Sequence, residues 1–178
     1  MTNKMIFSGF GGQGLLSAGL ILAEASVIEG YNATYFPSYG AEMRGGTANC
    51  HVIISDEKIA SPIISKADML VAFNQPSINK FATRLVDNGL AIINSSVVKS
   101  TVNDIKAKIM NFKFDEICLE KLGSSKFSNI ILVGIIAKLT GLVKEDSLIK
   151  AIQNKFSEKG SKIIDANINA LRIGLSLI

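Results

Sequence analysis

Met5-Ile6-Phe7-Ser8-Gly9-Phe10-Gly11-Gly12-Gln13-Gly14 runs from a short apolar stretch into a glycine cluster, and helical spacing follows from Leu15 to about Glu29. Four apolar-to-small residues, a Gly-x-Gly-x-x-Gly turn and a helix define a strand–loop–helix unit. Gly30 is a natural stop. Asn32 to Phe36 then reads as a second strand, so the unit is βαβ and calls for a parallel sheet. The helix is apolar around most of its circumference, with Ser17, Glu24 and Glu29 as its polar breaks. Such a helix is either deeply buried or half of an interface.

Working outward, Thr47 to Ser55 alternates. Thr47, Asn49, His51 and Ile53 take one face, and Ala48, Cys50, Val52 and Ile54 the other. Asp56-Glu57 reads as a tight turn into a strand over 59–64, which implies antiparallel pairing and makes the sheet mixed. Met69 to Phe73 is a further apolar strand. Pro76 fits the first turn of a helix reaching about Val86, and Leu90 to Ile93 is a strand after Gly89. Between Ser95 and Lys113 the pattern predicts irregular structure with one short helix or strand. Four helices close the chain, over about 114–122, 129–139, 145–156 and 166–175. The expected fold is α/β: a three-layer α/β/α, Rossmann-like arrangement around a mixed, mostly parallel sheet, with a helical C-terminal part. No repeat or linker divides the chain, so residues 1–178 are expected to form a single domain.

Composition narrows function. At 48% hydrophobic and 19% charged residues, the chain is globular. No run of 18 apolar residues occurs, so no membrane span is expected. No signal peptide is legible, and two distant cysteines, Cys50 and Cys118, read as free thiols of a cytoplasmic protein. The net charge of +4 is unevenly spread. Residues 1–57 hold two basic against five acidic residues (net −3), and the rest hold seventeen against ten (net +7). The lysines are scattered, not gathered into a stripe with aromatics, which speaks against nucleic acid.

Three chemical readings attach to the motifs. Gly9, Gly11 and Gly14, with Gly12 and Gln13 between them, allow a tight turn and leave the free N–H groups of a helix N-terminus open to an anion. They equally serve close helix–sheet packing alone. A nicotinamide site needs an acid about 20 residues on, at the end of the second strand. That strand ends in Thr34-Tyr35-Phe36-Pro37, so this reading is disfavoured. In the loop Glu42-Met43-Arg44-Gly45-Gly46-Thr47, paired glycines let the backbone fold tightly beside Arg44. A guanidinium suits a carboxylate or a phosphate, and the partner is a ligand, Glu42 or a neighbouring subunit. One histidine and no Cys-x-x-Cys pair leave no ordinary zinc or iron–sulfur site.

These stretches together resemble a known family. Gly9-Phe10-Gly11-Gly12-Gln13-Gly14, Pro37-Ser38-Tyr39-Gly40 and Glu42-Met43-Arg44-Gly45-Gly46-Thr47-Ala48-Asn49-Cys50 are similar to the gamma subunit of 2-oxoacid:ferredoxin oxidoreductases. Ser61-Pro62, Asp68, Asn74-Gln75-Pro76-Ser77 and Asn129 extend the resemblance over nearly the whole chain, with Ala41 departing from an expected proline. The resemblance implies a subunit without activity of its own, in a complex with alpha and beta subunits and with a delta subunit left open. That complex decarboxylates a 2-oxoacid with thiamine diphosphate and Mg, passes electrons through [4Fe-4S] clusters to ferredoxin or flavodoxin, and forms an acyl-CoA. The partner subunits carry thiamine diphosphate and the clusters, and coenzyme A is a co-substrate. Gly9, Gly11, Gly12, Gln13, Gly14, Arg44, Gly45, Gly46, Thr47 and Asn49 are the candidate cofactor-binding residues. The form of the second loop is most similar to enzymes of 2-oxoglutarate, then of branched-chain 2-oxoacids, then of pyruvate. A free-standing nucleotide- or CoA-binding protein is the alternative from a different class.

Overall fold

A computed structural model describes residues 1–38, 47–100 and 106–178, with Thr47 described at its backbone only. Strand β1 (Thr2–Phe10) leads into helix α1 (Leu15–Ile28) and strand β2 (Asn32–Ser38). Strands β3 (Thr47–Ser55) and β4 (Ala67–Ala72) follow, then helix α2 (Gln75–Phe81), and strands β5 (Leu85–Asn94) and β6 (Lys108–Phe112). Helices α3 (Phe114–Leu122), α4 (Ser128–Thr140), α5 (Glu145–Phe156) and α6 (Ser161–Ser176) complete the order. The strands form one mixed sheet in the order β2-β3-β1-β4-β5-β6. β1, β4, β5 and β6 run parallel, and β3 is antiparallel to both β1 and β2.

Alternation along the strands sorts side chains between two cores. Met5, Phe7, Cys50, Val52, Ile54, Met69, Val71 and Ile92 face α1 and α3 to α6. Ile6, Ile53, Leu70, Ala72, Ala91 and Ile93 face α2 and the single 3-10 turn after it. The three layers are therefore unequal. α4 lies in the thick layer with Ile130 to Ala137 buried all round, which accounts for its uniformly apolar sequence.

Four expectations need correction. The βαβ reading implied that β1 and β2 pair. They run in the same direction, but β3 is inserted between them and bonds to both. That insertion also removes the strand expected over 59–64. Both edges of β3 are taken, so a hairpin return has no ladder to join, and Pro62 could not donate to one. The segment instead crosses the sheet face, where buried Ile64 donates its N–H to His51 Nδ1 at 3.1 Å. Finally, the helix after Pro76 stops at Phe81 and not near Val86, because β5 begins at Leu85 to pair with Ala67 before a bulge. The last helix begins earlier than its spacing showed, at Ser161.

Candidate functional site: the glycine loop at the switch point

After β1 the chain moves to one side of the sheet, and after β4 it moves to the other. The carboxyl ends of β1 and β4 therefore flank a topological switch point, where open α/β sheets leave a crevice for ligands. The glycine loop sits there, and each glycine has its own reason. A Cβ on Gly9 would stand 2.5 Å from Gln13 Oε1, 2.7 Å from Leu15 Cδ1 and 3.1 Å from Phe73 Cβ, so a larger residue would force all three side chains to give way. Gly12 and Gly14 have φ of 95° and 74°, in the left-handed region that glycine enters without strain. Gly14 is also pressed by α4, since a Cβ there would lie 2.6 Å from Asn129 Nδ2.

Two side chains hold the loop shut on the protein side. Gln13 accepts from the Phe10 N–H at 2.7 Å and donates to the Phe73 carbonyl at 3.1 Å, tying the loop to β4. Asn129 donates to the Gly14 carbonyl at 3.1 Å. Both ends of the Gln13 amide are thus spent on the backbone. What the loop offers outward is its own main chain. Gly11 and Gly12 are exposed, and together with Phe10, Gly14, Ser17 and Ala48 they line a shallow cleft of about 250 Å³. Among the described residues its lining contains no charged side chain, and no acid occupies the first turn of α1. The unpaired N–H groups and positive dipole end of α1 are its electrostatic feature. Small-molecule pockets usually hold roughly 300–1,000 Å³, so this cleft is smaller than a site that encloses a whole nucleotide.

The structure brings together Gly11, Gly12 and Gly14 and adds Ala48, which stands beside them in the register Gly9↔Ala48. It does not bring Asn49. That residue pairs with Ser8, whose hydroxyl meets Ser77 of α2 at 2.8 Å, so Asn49 belongs to the opposite face of the sheet. Arg44, Gly45 and Gly46 lie outside the described residues, as does the Thr47 side chain. The Thr47 backbone enters β3 opposite Phe10. Phe73 and Asn129 act on the loop from 60 and 115 residues away, and no local pattern signals such roles.

Cys50 lies directly beneath the cleft, 3.8 Å from the Leu15 carbonyl. Burial pushes its thiol up to about 12, so it stays protonated and is not a nucleophile. Cys118 is buried and donates to the Ser124 carbonyl at 2.7 Å. Among the described residues no three His, Cys, Asp or Glu side chains converge into a metal site. The donor set therefore does not fit an iron–sulfur cluster or a metal-diphosphate on these elements.

A mixed-sheet α/β protein with a glycine-lined cleft at its switch point is the class that fold and site define. Residues 4–177 match the pyruvate ferredoxin/flavodoxin oxidoreductase family. The chain belongs to that family, and within it to the gamma-subunit type. The ketoisovalerate oxidoreductase subunit VorA of Methanothermobacter thermautotrophicus is 40% identical over 173 residues, covering 96% of this chain and 35% of VorA. The chain thus spans about a third of the length of that relative. The 2-oxoglutarate synthase subunit KorC of Methanocaldococcus jannaschii is 32% identical, covering 85% of this chain and 82% of KorC. Among solved structures, the gamma subunit of keto/oxoacid ferredoxin oxidoreductase from Geobacter sulfurreducens superposes with a TM-score of 0.81 at 30% identity. It covers 97% of this chain and 95% of that one.

Proposed function

We propose that this chain, as a single domain over residues 1–178, is the gamma subunit of a CoA-acylating 2-oxoacid oxidoreductase. It works in the cytoplasm with alpha and beta subunits that carry thiamine diphosphate, Mg and [4Fe-4S] clusters and pass electrons to ferredoxin or flavodoxin. The observation that carries the reading is the cleft at the glycine loop. The exposed backbone of Gly11 and Gly12 and the α1 N-terminus suit a phosphate of coenzyme A, while the small volume of the cleft leaves the rest of that molecule to be held by a neighbour. Arg44, three residues before β3 in the sequence, is the residue proposed to reach that phosphate or the neighbour's carboxylate. The burial of both thiols and the lack of converging ligands in the described residues support placing redox chemistry elsewhere. The second loop favours 2-oxoglutarate as substrate, and the 40% identity to VorA favours a branched-chain 2-oxoacid.

The test is reconstitution. The purified chain with a 2-oxoacid, CoA, thiamine diphosphate and a viologen dye is expected to reduce nothing, and the co-expressed assembly is expected to reduce the dye. Substantial reduction by the chain alone overturns the subunit reading. A panel of 2-oxoglutarate, ketoisovalerate and pyruvate ranks the substrates by kcat/KM. In the assembly, Arg44→Ala is expected to weaken the lost contact by roughly tenfold to a hundredfold, as for a charge-assisted bond of about 1.5–3 kcal/mol. A raised KM for CoA places Arg44 on CoA, and dissociation on a sizing column places it on a partner. Normal assembly with normal CoA kinetics removes Arg44 from the site.

A further inference from the structure

On the side of α1 away from the glycine loop, a groove of about 360 Å³ runs between α1, the end of α5 and β2. Ala23, Val27 and Ile28 form one wall, and Ala33 and Tyr35 form the floor. Val27 is 57% and Ile28 40% exposed, although the rest of α1 is largely buried. Within this apolar lining stands Glu24. Its Oε2 is shielded from water and has no hydrogen-bond partner, and Glu24 forms no ion pair among the described residues. A shielded carboxylate oxygen without a donor costs free energy that a cation would recover. Glu24 itself lines the groove, so a cation entering there meets its carboxylate directly.

We propose that this groove seats a segment of a neighbouring subunit of different sequence, one that places a lysine or arginine on Glu24 and a flanking apolar side chain between Val27 and Ala33. Charge decides against a second copy of this chain docking groove to groove. A two-fold contact of that kind is self-complementary and would bring two Glu24 carboxylates together in apolar surroundings, a repulsion that excludes the pairing. A basic partner gains from the same carboxylate. The proposal rests on the subunit reading above and adds where the contact lies, on the opposite end of α1 from the anion cleft. One helix then links the partner's surface to the cleft.

A photo-crosslinking amino acid at Val27, in the assembly co-expressed with alpha and beta subunits, is expected to capture a peptide of another subunit that contains lysine or arginine. Glu24→Lys is expected to weaken association by about thirtyfold or more, the lower end for breaking a desolvated charge pair. Changing the captured basic residue to glutamate is expected to restore it. Glu24→Gln keeps shape and packing, and is expected to weaken association less while leaving the melting of the free chain unchanged, so the comparison survives if Glu24→Lys does not fold. If the wild type assembles and Glu24→Lys and Glu24→Gln assemble as tightly, the groove is not the contact and the subunit reading stands. Capture of a second copy of this chain also overturns the proposal. If the wild type never assembles with either subunit, the subunit reading fails and this surface fails with it.

Discussion

His51 is the one histidine of the chain, and its surroundings set a pH limit on stability. The imidazole is 7% exposed and accepts the Ile64 N–H at Nδ1, so its proton sits on Nε2. Burial, and then the Arg84 guanidinium, hold its pKa below the ordinary value. A depressed pKa in the folded state means that the unfolded chain binds the proton first. The stabilising contribution is whole above about pH 6.5, the unfolded value, and is lost as pH falls through the lower folded value. The carboxylates with resolved shifts, Glu29, Asp56 and Glu116, are all lowered and titrate below that window. Urea unfolding between pH 7.5 and 5 is therefore expected to show falling stability in the wild type and a flatter profile in His51→Gln. Equal slopes in the two proteins would remove His51 from that role. The protonated ring would lose its Nδ1 acceptor, so the segment over 59–64 that crosses the sheet face is where the loss acts.

At the scale of elements, the tightest joint is the crossing of α4 and α6. A Cβ on Gly174 would collide with the Ile131 carbonyl oxygen, and one on Gly134 with the carbonyl oxygen of Leu171. Both obstacles are backbone, which cannot rotate away. Gly174→Ala is expected to lower stability by about 1–3 kcal/mol or more, as overpacking does, despite alanine's higher helix propensity. Chemical denaturation reads the change directly, and an unaltered midpoint would mean that the helices part freely. Some helix boundaries after Phe114 were legible and others were not: the last helix starts at Ser161, ahead of its spacing. Phe114–Leu122 and Glu145–Phe156 are bounded by local signals, Gly123 in a left-handed cap and Glu145-Asp146 in a first turn. Which helix is central depends on glycines 40 residues apart meeting across a crossing.

Over the whole molecule, the two thiols report on cooperativity. Cys50 faces α1 from β3 and Cys118 points inward from α3, both buried in the larger core. With its thiol pushed up to about 12, Cys50 reacts only once the sheet opens. Labelling by a thiol reagent through a urea titration is expected to follow the loss of circular dichroism for both cysteines together. Modification of either in native buffer would reveal a local opening of this core.

The unit from Met5 to Glu29 was determined by sequence alone, because a strand, a glycine turn and a helix are set by neighbours in the chain. So were the faces of Thr47 to Ser55, since alternation has a period of two whatever the strand pairs with. Tertiary structure alone decided which strands pair. The placement of β3 between β1 and β2, and the consequent loss of a strand over 59–64, depend on which ladder edges are already taken. The site divides the same way. Its glycines are visible as spacing, but the reason for Gly9 is Phe73, and the reasons for Gly14 are its left-handed φ and Asn129. Asn49, adjacent in sequence to the cleft residue Ala48, is turned to the other face by the pleat. Glu24 reads as one polar break in an apolar helix, and only the packing of α1 against β2 and α5 strips its carboxylate of partners and leaves it in a groove.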